Sequence, residues 1–170
     1  MKIVIILSFI LVAAIAQAQM PAILNKPPDI MTRKGIPDEK SLFGVFEGRT
    51  PCLEIAKQLN VPKGPQCIKI KWRLILHYDP TTHQPTTYTA DGGLLRTALY
   101  TGKWTISKGM HDDPNAIVYQ LELNNPSQVF YMLKGDDNVL FILDEHKKFR
   151  VGNENFSYTL NRVKLVPMKE

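Results

Sequence analysis

The 170-residue sequence predicts an all-β protein, an antiparallel barrel or sandwich carrying one short helix. Three observations predict it. From Cys67 to Tyr78, side chains alternate. Ile68, Ile70, Trp72, Leu74, Leu76 and Tyr78 occupy one parity, and Lys69, Lys71, Arg73 and His77 the other, interrupted only by Ile75. Period two over this length sets one face in a core and one in water, whereas a helix would scatter the cations around its circumference. Short β-prone runs bounded by turn residues then recur along the chain. Helical periodicity is confined to one brief segment. Closure is expected because an open meander of this length would leave two adhesive edges.

In order, Phe43–Arg49 reads as the opening strand. Thr50 is placed to cap a helix with Pro51 at its first position and Glu54 in its first turn. Leu53, Ala56 and Leu59 would form its apolar stripe, and Pro62 with Gly64 would end it. The alternating strand of 67–78 follows, its basic row expected to be a solvated face that discourages edge-to-edge association. Asp79-Pro80-Thr81-Thr82 makes a turn, Thr86–Thr89 a strand, and Asp91-Gly92-Gly93 a hairpin tip. Leu94–Tyr100 and Lys103–Ser107 come next, with Gly102 marking a bend or bulge. Strands at Ala116–Leu123, Gln128–Leu133, Val139–Leu143 and Phe156–Arg162 complete the series. The turns between them hold Asn-Asn-Pro at 124–126, Gly-Asp-Asp-Asn at 135–138, and Gly152-Asn153.

Residues 1–18 read as a secretory signal peptide. Lys2 precedes an apolar run from Ile3 to Ile15, and Ala16-Gln17-Ala18 offers small residues at the cleavage spacing. The run is too short to span a bilayer, and no cysteine follows it for lipid attachment. Residues 19–41, with Pro21, Pro27, Pro28 and Pro37, read as a flexible lead, and 42–170 as a single domain. The expectation is an exported protein, periplasmic or extracellular, with neither a transmembrane span nor a lipid anchor. Lys2 is the leader's one charge, so the formal net charge of +5 becomes +4 in the exported part. An excess this mild excludes nucleic acid as the expected partner. Cys52 and Cys67, in an oxidising compartment, read first as a structural disulfide. Closing that fifteen-residue separation stabilises by about 3 kcal/mol on a chain-entropy basis.

The sequence shows no catalytic constellation. Gly-x-Ser-x-Gly and HExxH are absent, and Glu47, Glu122 and Asp144 fall on different predicted strands. Of the four histidines, His77 and His83 flank one turn and could form a two-imidazole site, although exposed turn histidines are ordinarily unpartnered. His111 and His146 stand apart. Met110-His111-Asp112-Asp113 combines soft and hard ligands, and soft ligands suit copper, but Asp-Asp-Pro-Asn is also an ordinary turn. A thiol of Cys52 would be activated at a helix start only if it were unbonded. Trp72, Tyr88, Trp104 and Tyr119 are expected inside the barrel, either as core filler or lining an apolar pocket. Arg162 is expected to close over a tryptophan by cation–π contact.

Phe43-Gly44-Val45-Phe46-Glu47-Gly48-Arg49-Thr50-Pro51-Cys52 resembles the opening of NlpE N-terminal-type domains, where an aromatic strand runs into Gly-x-x-Pro-Cys. Gly102-Lys103-Trp104 is similar to that family's Gly-x-Trp strand, and Leu143-Asp144 falls where the family carries Leu-x-Asp. The resemblance spans roughly residues 43–145. It implies a small lipocalin-like β-barrel of about eight to ten strands in the bacterial envelope, linked to copper resistance or envelope stress. The family continues Pro-Cys-x-x-Cys, whereas Ile55 fills the second cysteine position here, so only Cys52 carries over.

The resulting expectation is a non-catalytic NlpE-like interaction module that recognises another protein or a small apolar ligand and needs no cofactor. Two other readings stay open. One is a lipocalin-like carrier using Trp72, Tyr88, Trp104 and Tyr119. The other is a copper-handling protein using Cys52 and Cys67, with Met110 or His111.

Overall fold

The computed structural model describes residues 35–37, 39–61, 66–92, 100–123 and 128–164. The leader, most of the lead, the segment with Pro62 and Gly64, residues 94–99 and the 124–126 turn lie outside them. Eight strands close into an antiparallel barrel in sequence order. They are β1 (Leu42–Pro51), β2 (Lys69–Tyr78), β3 (Pro85–Gly92), β4 (Tyr100–Lys108), β5 (Ile117–Glu122), β6 (Val129–Lys134), β7 (Val139–Ile142) and β8 (Thr159–Arg162). Helix α1 (Leu53–Gln58) follows β1. Among the described residues no helix is long and apolar enough to cross a membrane.

The alternation of β2 is realised. Ile70, Trp72, Leu74 and Leu76 are buried, and Lys69 and Lys71 are exposed. Ile68 departs from it, lying ahead of the strand at 66 % exposure. Arg73 departs too. It is buried on the outer face, where it pairs with Glu47 and donates from Nη2 to the Gly35 carbonyl at 2.6 Å. The basic row is therefore not wholly solvated, because the end of the lead lies over it. The lead is anchored a second time where the Tyr78 amide donates to the Ser41 carbonyl at 2.8 Å.

Other expectations shift by a few residues for identifiable reasons. Thr50 and Pro51 belong to β1, not to the helix. Thr50 is fully buried, and its hydroxyl accepts the Trp72 indole N–H at 2.9 Å, so no side-chain oxygen is left for capping. Cys52 is the N-cap residue and makes no side-chain cap bond. Burial falls on Ile55 and Ala56, whereas Leu53 faces water. Asn60 ends the helix in a left-handed conformation (φ 54°). There its amide reaches the Lys57 carbonyl and that of Val61 reaches Ala56, a Schellman closure. Asp91 and Gly92 are strand residues opposite Arg73 and Trp72 rather than a hairpin tip. Gly102 sits inside an unbroken β4 opposite Tyr88. A Cβ there would fall against the Glu122 carbonyl oxygen and 2.9 Å from the Tyr88 ring, so the glycine makes room for that tyrosine and the carbonyl its hydroxyl bonds rather than bending the strand.

The turns share one device. Asp79 Oδ1 accepts the amides of Thr81 and Thr82, Asp113 that of Asn115, Asp136 that of Asn138, Asp144 those of His146 and Lys148, and Asn153 those of Asn155 and Phe156. A short side chain satisfying backbone amides two to four residues on is why Asp and Asn occupy these corners. The two amide bonds at Asp79 hold its carboxyl below the usual range.

The interior is continuous from end to end. Phe43, Trp104 and Tyr119 pack with ring centroids 5.1–5.9 Å apart at the end where β1 begins. Phe46, Leu74, Leu76, Tyr88, Met132, Leu140 and Leu160 fill the middle. At the other end Trp72 stacks on Phe130 at 5.6 Å, and Ile55 and Ala56 of α1, with Cys52 just before it, complete the cluster. Arg162 closes over Phe46 and Phe43, at 4.6 and 5.3 Å, and not over a tryptophan. Gly48 lets β1 meet β8 closely, since a Cβ would fall against the Thr159 carbonyl oxygen and 2.8 Å from Leu160 Cδ2. Gly48→Ala is expected to cost about 1–3 kcal/mol in a urea unfolding series, as overpacking does. Gly35→Ala, with nothing within 4 Å of the new carbon, should leave the midpoint unchanged.

Candidate functional site

Helix α1 lies across the barrel end at which β1 finishes, and an open groove of about 630 Å³ runs beside it. Its walls come from three parts of the chain: Glu54, Lys57 and Gln58 of α1; Leu123, Gln128 and Val129 around the β5–β6 connection; and Asp144, Glu145 and Arg150 after β7, with Tyr131 of β6. Leu123 and Val129 give an apolar floor, and the rim carries both signs of charge.

Arg150 organises this end. Its side chain is only 6 % exposed. Nε donates to the Leu143 carbonyl at 3.1 Å, Nη1 to Glu54 Oε2 at 3.3 Å and Nη2 to Gln58 Oε1 at 2.5 Å. The guanidinium lies 5.6 Å from the Tyr158 ring centroid, and the Tyr158 hydroxyl donates to Glu54 Oε2 at 3.0 Å. One planar fork thus ties α1 to the loop after β7 and to the approach to β8, a geometry lysine could not reproduce. The Cys52–Cys67 disulfide, with Cα atoms 5.5 Å apart, anchors the start of α1 to the approach to β2. The helix is held at both ends.

Burial pushes the Tyr158 hydroxyl up to about 12, and the Glu54 carboxylate adds to the shift. Tyr88 is likewise pushed up to about 12, chiefly by burial, while its hydroxyl donates to the Glu122 carbonyl at 2.7 Å.

Trp72, Tyr88, Trp104 and Tyr119 are all buried. The Trp104 indole N–H reaches the His77 carbonyl at 2.6 Å; with Trp72 on Thr50 and Tyr88 on Glu122, the polar atoms of three of the four are satisfied inside the protein. No buried side-chain nitrogen or oxygen among the described residues lacks a partner.

The metal candidates do not come together. Cys52 and Cys67 are bonded to each other at the helix end, whereas Met110 and His111 lie in the β4–β5 connection at the opposite end. Among the described residues no three His, Cys, Asp or Glu side chains cluster as a metal site. His83 stacks on Tyr78 at 5.5 Å, while His77 turns to Ser41 and Glu39, so the two-imidazole corner does not form. Ser41, His77 and Glu39 are near neighbours, but both oxygens lie 3.5 Å from the same ring atom, Nδ1. A serine–histidine–acid relay needs the hydroxyl and the carboxylate on opposite nitrogens. Glu47 faces Arg73, Asp144 holds its turn, and Glu122 ends β5 in solvent; the three carboxylates share no cavity.

Sequence reasoning missed Arg150, Glu54, Gln58 and Tyr158. The hydrogen bonds that join Arg150 and Tyr158 to Glu54 and Gln58 span 92–104 residues of chain, and a buried arginine leaves no local periodicity to detect. Comparison of the chain with protein-family models, curated proteins and solved structures gives no match. The fold and the groove therefore define the class directly: a disulfide-stapled antiparallel barrel with a helix pinned over one end.

Two measurements test this site. Replacing both cysteines by serine should lower stability by about 3 kcal/mol, read as a lower urea midpoint equal to that of the reduced protein. Tyr88 and Tyr158 ionise from an ordinary value of 10.0 only near 12. Folding therefore favours their neutral forms, a contribution whole below pH 10 and lost as pH rises to about 12. Absorbance at 295 nm should show two of the six tyrosines titrating last, together with loss of near-UV dichroism.

Proposed function

We propose that this protein is a non-catalytic interaction module of the NlpE-like kind, working in an oxidising envelope or extracellular compartment. Its groove beside α1 would receive a polypeptide segment of a partner protein. The observation that supports this most is the filled interior. Trp104, Tyr119, Tyr88, Phe46, Trp72 and Phe130 pack on one another and on aliphatic neighbours, which leaves recognition to the outer surface. An apolar floor at Leu123 and Val129 with charges of both signs on the rim suits a peptide, whose side chains are mixed and whose backbone needs both donors and acceptors.

Two experiments separate this reading from a carrier of apolar ligands. Titration with N-phenyl-1-naphthylamine should show no saturable uptake and no change in tryptophan emission. One-to-one uptake that quenches the buried tryptophans would replace the module by a carrier. A photoreactive amino acid in place of Gln128, introduced in the native compartment, should give an adduct with one discrete protein. That adduct should disappear when Leu123 and Val129 are changed to Asp. An adduct that survives those changes would move recognition away from the groove.

A further inference from the structure

The outer face of β1 and β2 holds two cross-strand pairs of opposite character. Glu47 stands opposite Arg73, and the two are ion-paired. Two residues along the same face, Arg49 stands directly opposite Lys71. Both are exposed, and among the described residues neither side chain has an ion-pair or hydrogen-bond partner. Like charges directly opposite each other destabilise a sheet, so this pair works against the fold that carries it. Lys69, next on the same face, adds a third cation, placed 5.7 Å from the Phe156 ring centroid.

This unmatched pair flanks the short seam where β8 closes the barrel against β1. β8 pairs with β1 only at Phe46–Arg162 and Glu47–Asn161. No further pairs join β1 and β8 beyond Glu47–Asn161 on this side, and a groove of about 480 Å³ follows the seam. Arg49 and Lys71 line one wall, and Asn155, Phe156 and Asn161 line the other. Asn155 uses one of its two amide donors on Glu154, at 3.2 Å, leaving the second free to donate. Cations on one side and carboxamides on the other supply many N–H donors; the carboxylates at the seam are Glu47, which lines the groove and is paired with Arg73, and Glu154, which accepts from Asn155.

We infer that this seam is a binding site for a phosphate group carried on a small organic molecule or on a lipid headgroup. The guanidinium of Arg49 matches two phosphate oxygens as a fork, Lys71 neutralises as a point charge, and Asn155 and Asn161 donate to the remaining oxygens. A tetrahedral phosphate uses this donor set more fully than a planar carboxylate, a doubly charged monoester most of all and the singly charged diester of a lipid headgroup in part. The volume leaves room for its organic part beside Phe156. Occupancy removes the repulsion between Arg49 and Lys71, so binding and stability rise together. The seam shares no lining residue with the groove beside α1, and the inference stands whatever that groove receives.

The test uses the folded, disulfide-bonded protein. Glycerol 3-phosphate is titrated by calorimetry up to about 10 mM, and co-sedimentation compares phosphatidylglycerol with phosphatidylcholine vesicles. Saturable binding in either arm, weakened at least about tenfold by Arg49→Gln with Lys71→Gln, is the expected result. Which arm responds names the source of the phosphate. A matched variant, Lys103→Gln with Lys108→Gln, removes the same charge from exposed positions of β4 and should bind as the parent does. The Arg49/Lys71 variant should also melt no lower than the parent without ligand, and lose the ligand-induced rise in melting temperature. Absence of binding in both arms overturns the site, as does equal weakening by the β4 variant or unchanged binding by the seam variant.

Discussion

Closure of the barrel is carried by a short stretch of chain. β8 contributes four residues and pairs with β1 at only two positions, yet without it both β1 and β7 would be open edges. Arg162 makes so brief a seam sufficient. Its Nη1 donates to the Phe43 carbonyl at 2.7 Å and its Nε to the Asp137 carbonyl at 2.6 Å. The same guanidinium covers the rings of Phe43 and Phe46. Burial lowers its pKa from the ordinary arginine value, but a guanidinium keeps its charge at any physiological pH. Gly44 leaves space for this clamp, and Gly48 allows the backbones to meet just above it. Everything at the two ends, the Phe43–Trp104–Tyr119 cluster and the groove beside α1, presupposes a closed wall.

Much of that wall was legible in the sequence because period two survives tertiary context. Ile70, Trp72, Leu74 and Leu76 read as buried, and they are. Asp79, Asp113, Asp136 and Asn153 read as turn residues, and each one bonds the amides of its own turn. The misreadings occur where one residue does two jobs. Thr50 has the chemistry of a helix cap but serves a tryptophan 22 residues away. Arg73 has the parity of a solvated cation but lies beneath the lead. Gly102 has the look of a bulge but is a seat for Tyr88. Composition cannot distinguish these, because the deciding partner is distant in sequence.

The site was less legible than the fold for the same reason. The aromatic residues offered as a ligand pocket are the most conspicuous side chains in the strands, and their burial was readable. That they fill the space themselves was not, since filling depends on how Phe43 and Phe46 of β1 enter from the opposite wall. Arg150 was invisible as an organiser: it sits in an irregular segment, and its importance arises from being enclosed by Glu54, Gln58 and Tyr158. The disulfide, by contrast, was readable from two cysteines in a chain expected to be exported. It joins the residue that starts α1 to the residue two before β2.

That bond spans only the first hairpin-like unit of the chain, whereas the Arg162 clamp reaches back 119 residues to Phe43. The two fasteners therefore belong to different moments in the birth of the molecule. As the polypeptide emerges amino end first, both thiols and both opening strands are present long before the last strand exists, so oxidation need not wait for ring closure. The final fastening is a long-loop event with a correspondingly larger entropic barrier. A nascent chain of this kind would carry its covalent staple early and wait, unsealed, for Arg162.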